Sequence, residues 1–130
     1  MNKPRILVVD DEPNLSGLVR LCLEKTERFE VRVENRSAHA LASAREFRPD
    51  MVLLDVEMPG KNGGEVAREM RADPSLGQVP ILFLTSLISH DEAGDREAVL
   101  GGERYLAKPM RSQVLVATVD RLLAAEMRSH

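Results

Sequence analysis

Met51-Val52-Leu53-Leu54-Asp55 decides the fold of this chain. Four apolar residues in succession, without polar alternation, read as a strand buried on both faces, the mark of a parallel sheet covered by helices. Three further runs repeat the pattern: Ile6-Leu7-Val8-Val9 ahead of Asp10-Asp11, Ile81-Leu82-Phe83-Leu84 ahead of Thr85-Ser86, and Tyr105-Leu106-Ala107 ahead of Lys108-Pro109. In an open α/β sheet, ligands bind beyond the carboxyl ends of the strands. Three carboxylates, a hydroxyl and an ammonium are therefore expected along one edge.

Helical segments separate these runs. The first strand is expected over 5–10, and helix one begins at Pro13, where the missing N–H costs nothing. Leu15, Leu18, Val19 and Cys22 carry the spacing of a buried helical face. In a second strand, 30–34, Val31 and Val33 alternate with charged residues, which suits a sheet edge. Helix two starts near Ser37 with Leu41 and Ala44 inward. After a third strand over 50–55, Asn62-Gly63-Gly64-Glu65 reads as a capped start of helix three, which extends to about Ala72. Strand four covers 80–84. Ser89-His90-Asp91-Glu92 reads as another capped start, with helix four running to Leu100 and ended by Gly101-Gly102. Strand five covers 104–107, and helix five runs from Ser112 to Met127 with Leu115, Val119, Leu122 and Leu123 inward. Five strands alternating with five helices predict an α/β, doubly wound parallel sheet with helices on both faces.

With 130 residues the chain suits one domain, enough to bury roughly two-thirds of its unfolded surface. Its arginines are scattered and its net charge is −3, so no basic stripe offers itself to nucleic acid. The single cysteine, Cys22, permits no internal disulfide and fits a reducing compartment; its position suits a buried, inert thiol. No segment approaches the ~20 apolar residues of a membrane span. The apolar run after Met1-Asn2-Lys3-Pro4-Arg5 stops too early for the ~7–15 residues of a signal-peptide core. A cytoplasmic protein is expected, with no membrane contact and no direct nucleic-acid binding.

Asp10 and Asp11 beside Asp55 repel one another unless something neutralises them, and a divalent cation does so directly. Mg²⁺, or Mn²⁺ in its place, takes oxygen ligands and binds through one or two carboxylates plus a phosphate. Alone, Asp10-Asp11-Glu12 reads equally well as a solvated turn at a helix N-terminus, where acids are favoured. Asp55 can act as a nucleophile towards phosphorus. For that it needs one oxygen open to solvent and to a donor. Thr85 can donate to a phosphoryl oxygen, and Lys108 can pair with it as a compact point charge. Each also has an ordinary alternative: a loop cap for Asp55, a strand-favouring side chain for Thr85, a turn lysine for Lys108. On four successive strand ends they suit one reaction.

Ile6-Leu7-Val8-Val9-Asp10-Asp11-Glu12, Asp50 through Gly60, Leu84-Thr85-Ser86 and Tyr105-Leu106-Ala107-Lys108-Pro109, in this order and spacing, closely resemble the receiver domains of two-component response regulators, chemotaxis regulators among them. The resemblance covers essentially the whole chain and implies a flavodoxin-like five-stranded sheet of order 2-1-3-4-5. It implies that Asp55 accepts phosphate from the phosphohistidine of a histidine kinase or phosphotransfer protein. Asp11, Asp55 and the backbone carbonyl of Glu57 would hold Mg²⁺, with Asp10 acting largely through water. Thr85 and Lys108 would contact the phosphoryl group, the bond before Pro109 would be cis, and Tyr105 matches the switch aromatic. Phosphorylation would draw Thr85 in, let Tyr105 turn, and alter a surface of helix four, strand five and helix five that a downstream target, an output domain or a weak homodimer reads. Ser86 replaces the commoner alanine. Glu57 and Leu87 stand where the family tunes phosphate lifetime, in a direction the sequence does not give.

Other classes fit less well. A phosphatase of the haloacid dehalogenase type needs an aspartate two residues beyond its nucleophile, where Glu57 stands. A flavodoxin-like cofactor binder needs a hydroxyl-rich first loop. A degenerate receiver, acting by protein contact without phosphorylation, is the remaining alternative. Residues 1–130 are expected to form a single receiver domain with no output domain, and not a turnover enzyme although it would catalyse its own phosphorylation and dephosphorylation.

Overall fold

The computed structural model describes residues 3–87 and 98–128. Its sheet has six strands: β1 (Arg5–Val9), β2 (Glu30–Glu34), β3 (Met51–Asp55), β4 (Ile81–Thr85), β5 (Ala98–Leu100) and β6 (Glu103–Ala107). Four helices are described: α1 (Pro13–Glu24), α2 (Ala40–Phe47), α3 (Gly63–Ala72) and α4 (Ser112–Arg128). A single 3₁₀ turn, Ser37–His39, leads into α2. The spatial order is β2-β1-β3-β4-β6-β5. All neighbours are parallel except the last pair. With β6 as the strand expected fifth, the parallel part has the order that the resemblance implies.

The sixth strand is a correction. Residues 98–100, expected to end helix four, pair antiparallel with β6, Leu100 opposite Glu103. Gly101 and Gly102 both have positive φ, 59° and 81°. A two-residue loop with both φ positive is the tight hairpin turn whose twist matches the flanking strands. The same Gly-Gly pair that reads as a helix stop is therefore a hairpin loop. The capped start at Ser89–Glu92 lies outside the described residues.

The sheet separates two apolar cores. On one side Ile6, Val8, Leu53, Leu82 and Leu84 meet Val19 and Leu23 of α1 and Leu115, Val119 and Leu122 of α4. On the other, Leu7, Val9, Val52, Leu54 and Phe83 meet Ala40, Ala44 and Phe47 of α2 and Val66, Ala67 and Met70 of α3. Burial of both faces explains why β1, β3 and β4 read as unbroken apolar runs. Fully burying one such side chain contributes roughly 1.5–3 kcal/mol. Helix α1 differs from expectation: Leu18 is 59% exposed, while Ser16, Val19 and Leu23 are buried. Ser16 tolerates burial because its hydroxyl donates to the carbonyl of Glu12 at 3.0 Å. Cys22 is half-buried against the first core.

Register brings the strand ends level. Val9 pairs with Leu54, Asp55 with Leu84, and Thr85 with Ala107. Asp10, Asp55, Thr85 and Lys108 consequently emerge side by side. Helix α3 is started by Asn62, whose side chain accepts from the Glu65 N–H at 3.0 Å, while the Glu65 carboxylate accepts from the Asn62 N–H at 3.4 Å. A capping residue of this kind contributes about 1 kcal/mol. At the far end of α3, Asp73 accepts from the Ser75 N–H (2.9 Å), the Ser75 hydroxyl (2.6 Å) and Arg45 Nε (2.6 Å).

Candidate functional site

The carboxyl edge of the sheet gathers the expected residues. Asp10 is fully buried, Asp55 is 1% exposed, and Asp11 is half-buried. One carboxylate oxygen from each of the three lies within 4.8 Å of the others. Lys108 Nζ donates to Asp55 Oδ1 at 2.7 Å from a side chain that is itself mostly enclosed. Asp10 Oδ1 accepts from the Glu12 N–H at 3.0 Å. The second oxygens, Asp10 Oδ2 and Asp55 Oδ2, are buried without a hydrogen-bond partner. The Lys108–Pro109 peptide bond is cis.

Two buried carboxylate oxygens without partners are costly. Burial raises Asp10 above the usual carboxylate range, against the Glu12 N–H and Lys108, which lower it. Burial is also the largest influence on Asp55. Lys108 opposes it and the Asp10 charge adds to it, leaving Asp55 pushed up to about 6. Lys108 loses some stability of its charged form to burial, but its bond to Asp55 and the surrounding carboxylates more than offset this, and its pKa is raised. Hard oxygen donors with unused lone pairs, pointed together and short of positive charge, fit a small divalent cation. The site answers the chemistry of Mg²⁺.

Thr85 is buried and donates through Oγ1 to Glu57 Oε1 at 3.1 Å. The same Glu57 oxygen accepts from the Ser86 N–H (3.1 Å) and the Ser86 hydroxyl (2.9 Å). Burial opposes ionisation of Glu57, yet the bonds from Ser86 and Thr85 prevail and hold its carboxyl below the usual value. Tyr105 is half-buried, its ring stacked on Phe83 with centroids 5.1 Å apart. Phe83 lies in the core on the α2–α3 side, two residues before Thr85 on β4. Strand alternation puts Tyr105, Phe83 and Thr85 on one face.

One expectation needs correction. Asp55, taken as open to solvent, has almost no exposed surface, because it ends a strand buried on both faces and Lys108 lies against it. The nearby Glu57, Ser86 and Leu87 are exposed, whereas both Asp55 oxygens are enclosed.

Two contributors, Asn35 and Gly63, escaped the sequence reading, as did the part played by the Glu57 carboxylate. Asn35 Nδ2 donates to the Asp10 carbonyl at 2.7 Å and to Ser16 Oγ at 2.9 Å, fixing the peptide that presents the acidic pair. Glu57 acts through its carboxylate as well as lying on the loop. Gly63 is buried so close to the end of β3 that a Cβ there would stand 2.4 Å from the Asp55 carbonyl oxygen.

A doubly wound sheet carrying an acidic trio, a lysine on a buried aspartate and a strand-end threonine at its carboxyl edge is the arrangement that the resemblance to receiver domains implies. Residues 6–120 match the response regulator receiver domain, and the chain belongs to that family. Such domains are signalling modules rather than turnover enzymes, and they generally bind Mg²⁺ at an acidic pocket. They interact with histidine kinases and output targets. The chain is 40% identical over 121 residues to the DNA-binding response regulator MtrA of Mycolicibacterium smegmatis, covering 90% of this chain and 49% of that protein. It thus spans about half the length of the MtrA relatives it matches. It is 33% identical over 122 residues to Protein PilH of Pseudomonas aeruginosa, with 92% of this chain and 98% of PilH covered. Chemotaxis protein CheY4 of Vibrio cholerae superposes with a TM-score of 0.78 at 28% identity, covering 92% of this chain and 98% of that one. Among the described residues no helix is long and apolar enough to cross a membrane.

Proposed function

We propose that this receiver domain accepts a phosphoryl group on Asp55 from the phosphohistidine of a histidine kinase or phosphotransfer protein, with Mg²⁺, and passes the change to a downstream target or output domain. The supporting observation is the state of the Asp55 carboxylate: one oxygen held by Lys108, the other buried and unpaired beside Asp10 and Asp11. Asp11, Asp55 and the Glu57 backbone carbonyl would hold Mg²⁺, with Asp10 adding charge. Bound there, the ion neutralises the carboxylates and the incoming phosphoryl oxygens.

In the transfer an Asp55 oxygen forms the new P–O bond as the donor's P–N bond breaks, and the electron pair leaves on the imidazole. Lys108 orients Asp55 and afterwards balances the phosphoryl charge. The product carries about −1.5 to −2 charges and three acceptor oxygens. Thr85 donates to one of them, and its movement along β4 frees space towards Phe83 and Tyr105. The Tyr105 ring then changes its stacking, altering the surface of β6 and α4 where a target, or weakly a second copy, would bind. Phosphate here biases two states of the protein.

Incubation with Mg²⁺ and acetyl phosphate, followed by intact mass measurement, tests the reading. One base-labile phosphoryl group is expected on the wild type, and none on Asp55→Asn or in the presence of a chelator. Absence of label on the wild type, under conditions that label an established receiver, would establish the degenerate interaction module instead.

A further inference from the structure

We infer that the Glu57 side chain is a built-in competitor of the phosphoryl group: in the unphosphorylated protein it occupies the Thr85 hydroxyl that a phosphoryl oxygen would take, together with the adjoining Ser86 donors that could serve the same oxygens. The inference rests on the phosphoacceptor reading of Asp55. It adds a restraint on the resting state, imposed by this chain's own residue.

The geometry is specific. A single carboxylate oxygen, Glu57 Oε1, accepts from Thr85 Oγ1 at 3.1 Å, the Ser86 N–H at 3.1 Å and Ser86 Oγ at 2.9 Å. A threonine hydroxyl has one proton to give, as has a backbone amide. While both go to Glu57, neither can go to a second anion. Thr85 is further tied, because its oxygen accepts from the Leu87 N–H at 3.0 Å. A carboxylate oxygen and a phosphoryl oxygen are alike to these donors, since both are anionic acceptors.

Glu57 also lies close enough to Asp55 for its charge to disfavour ionisation there. A dianionic group on Asp55 would repel the glutamate and claim its donors together. Release of Glu57 and movement of Thr85 are then one event. Ser86, where the family more often has alanine, contributes a hydroxyl that strengthens the resting contact. Because Glu57 and Ser86 are exposed, water competes for the same bonds, and the restraint amounts to a modest bias that phosphorylation overcomes.

The test compares wild type, Glu57→Ala, Glu57→Gln and Ser86→Ala in binding beryllium fluoride, a phosphoryl mimic, with Mg²⁺. Fluorine NMR gives affinity, and the Ser86 amide resonance of the free protein reads the resting contact. Glu57→Ala is expected to bind the mimic about five- to tenfold more tightly and to shift the free Ser86 amide upfield. Ser86→Ala should act in the same direction with a smaller effect. Glu57→Gln, which keeps an acceptor without its charge, should fall between Ala and wild type. Equal or weaker binding by Glu57→Ala would overturn the inference. So would matching gains for Gln and Ala with an unmoved amide, since charge repulsion alone would then suffice. A wild type that binds no mimic and takes no phosphate would instead remove the phosphoacceptor reading on which the inference stands.

Discussion

Asp55 and Asp73 are both buried aspartates in one small domain, and their surroundings are opposite. Asp73 sits at the end of α3 with three donors on its oxygens, and those from Ser75, then Arg45, hold it down to about 2. Asp55 sits at the end of β3 with one lysine, two acidic neighbours and a bare oxygen, and is pushed up to about 6. The first is a finished structural contact. The second is a contact with an oxygen left bare, where the proposed cation would add the missing positive charge. The difference separates a carboxylate that holds the fold together from one that the fold holds ready.

Exchanging each aspartate for asparagine sharpens this contrast most. In metal-free protein near pH 7.5, Asp55→Asn should raise unfolding stability by on the order of 3 kcal/mol, because an aspartate held near 6 rather than about 3.9 carries roughly that penalty once ionised. Asp73→Asn should lower stability. Urea denaturation of both variants checks the signs, and a matching sign would break the comparison.

The pH dependence follows in the same order. Asp55, raised on folding, favours the folded state below about pH 4, and that contribution is lost as pH rises through about 6. Asp73, lowered on folding, contributes stability above about pH 4 that disappears as pH falls through about 2. Metal-free stability should therefore decline between about pH 4 and 7, with Asp10 acting in the same sense as Asp55. Saturating Mg²⁺, binding the ionised carboxylates of the folded state, should flatten the decline. Thermal melts across that range, with and without Mg²⁺, provide the measurement; a decline unaffected by the ion would count against a cation site.

The smallest expected effect concerns the support behind Asp10. Asn35→Ala removes the donor to the Asp10 carbonyl and should weaken Mg²⁺ binding by about tenfold, the lower end for outer-shell partners of a metal site. Calorimetric titration reads it. Unchanged affinity would reduce Asn35 to loop packing.

Most of this edge was legible because its signals are local. Met51 through Leu54 and Ile6 through Val9 are continuous apolar runs, and an acid directly after such a run must emerge at the strand end. The capping box at Asn62 and Glu65 was equally readable. What escaped was conformation or distance that no short pattern encodes. Gly101-Gly102 satisfies both a helix stop and a hairpin turn, and only the pairing of residues 98–100 with β6 decides between them. Asn35 lies 25 residues from Asp10, and its amide matters only because β2 and β1 run side by side. Glu57 was read for its carbonyl and as a position that tunes phosphate lifetime, but nothing local says that its side chain turns towards Thr85. Leu18 carried the right spacing but lies just beyond the stripe that α1 presents to the sheet.

Gly63 gives the site a hard backing. With its Cα tight against the Asp55 carbonyl and its N–H donating to the Val56 carbonyl at 3.1 Å, the first turn of α3 and the peptide of the acceptor residue share one space. Neither can recoil without shifting the other. A group arriving on the carboxylate, as proposed, would meet a braced main chain, and the exposed Glu57 side chain would be the part most able to give way.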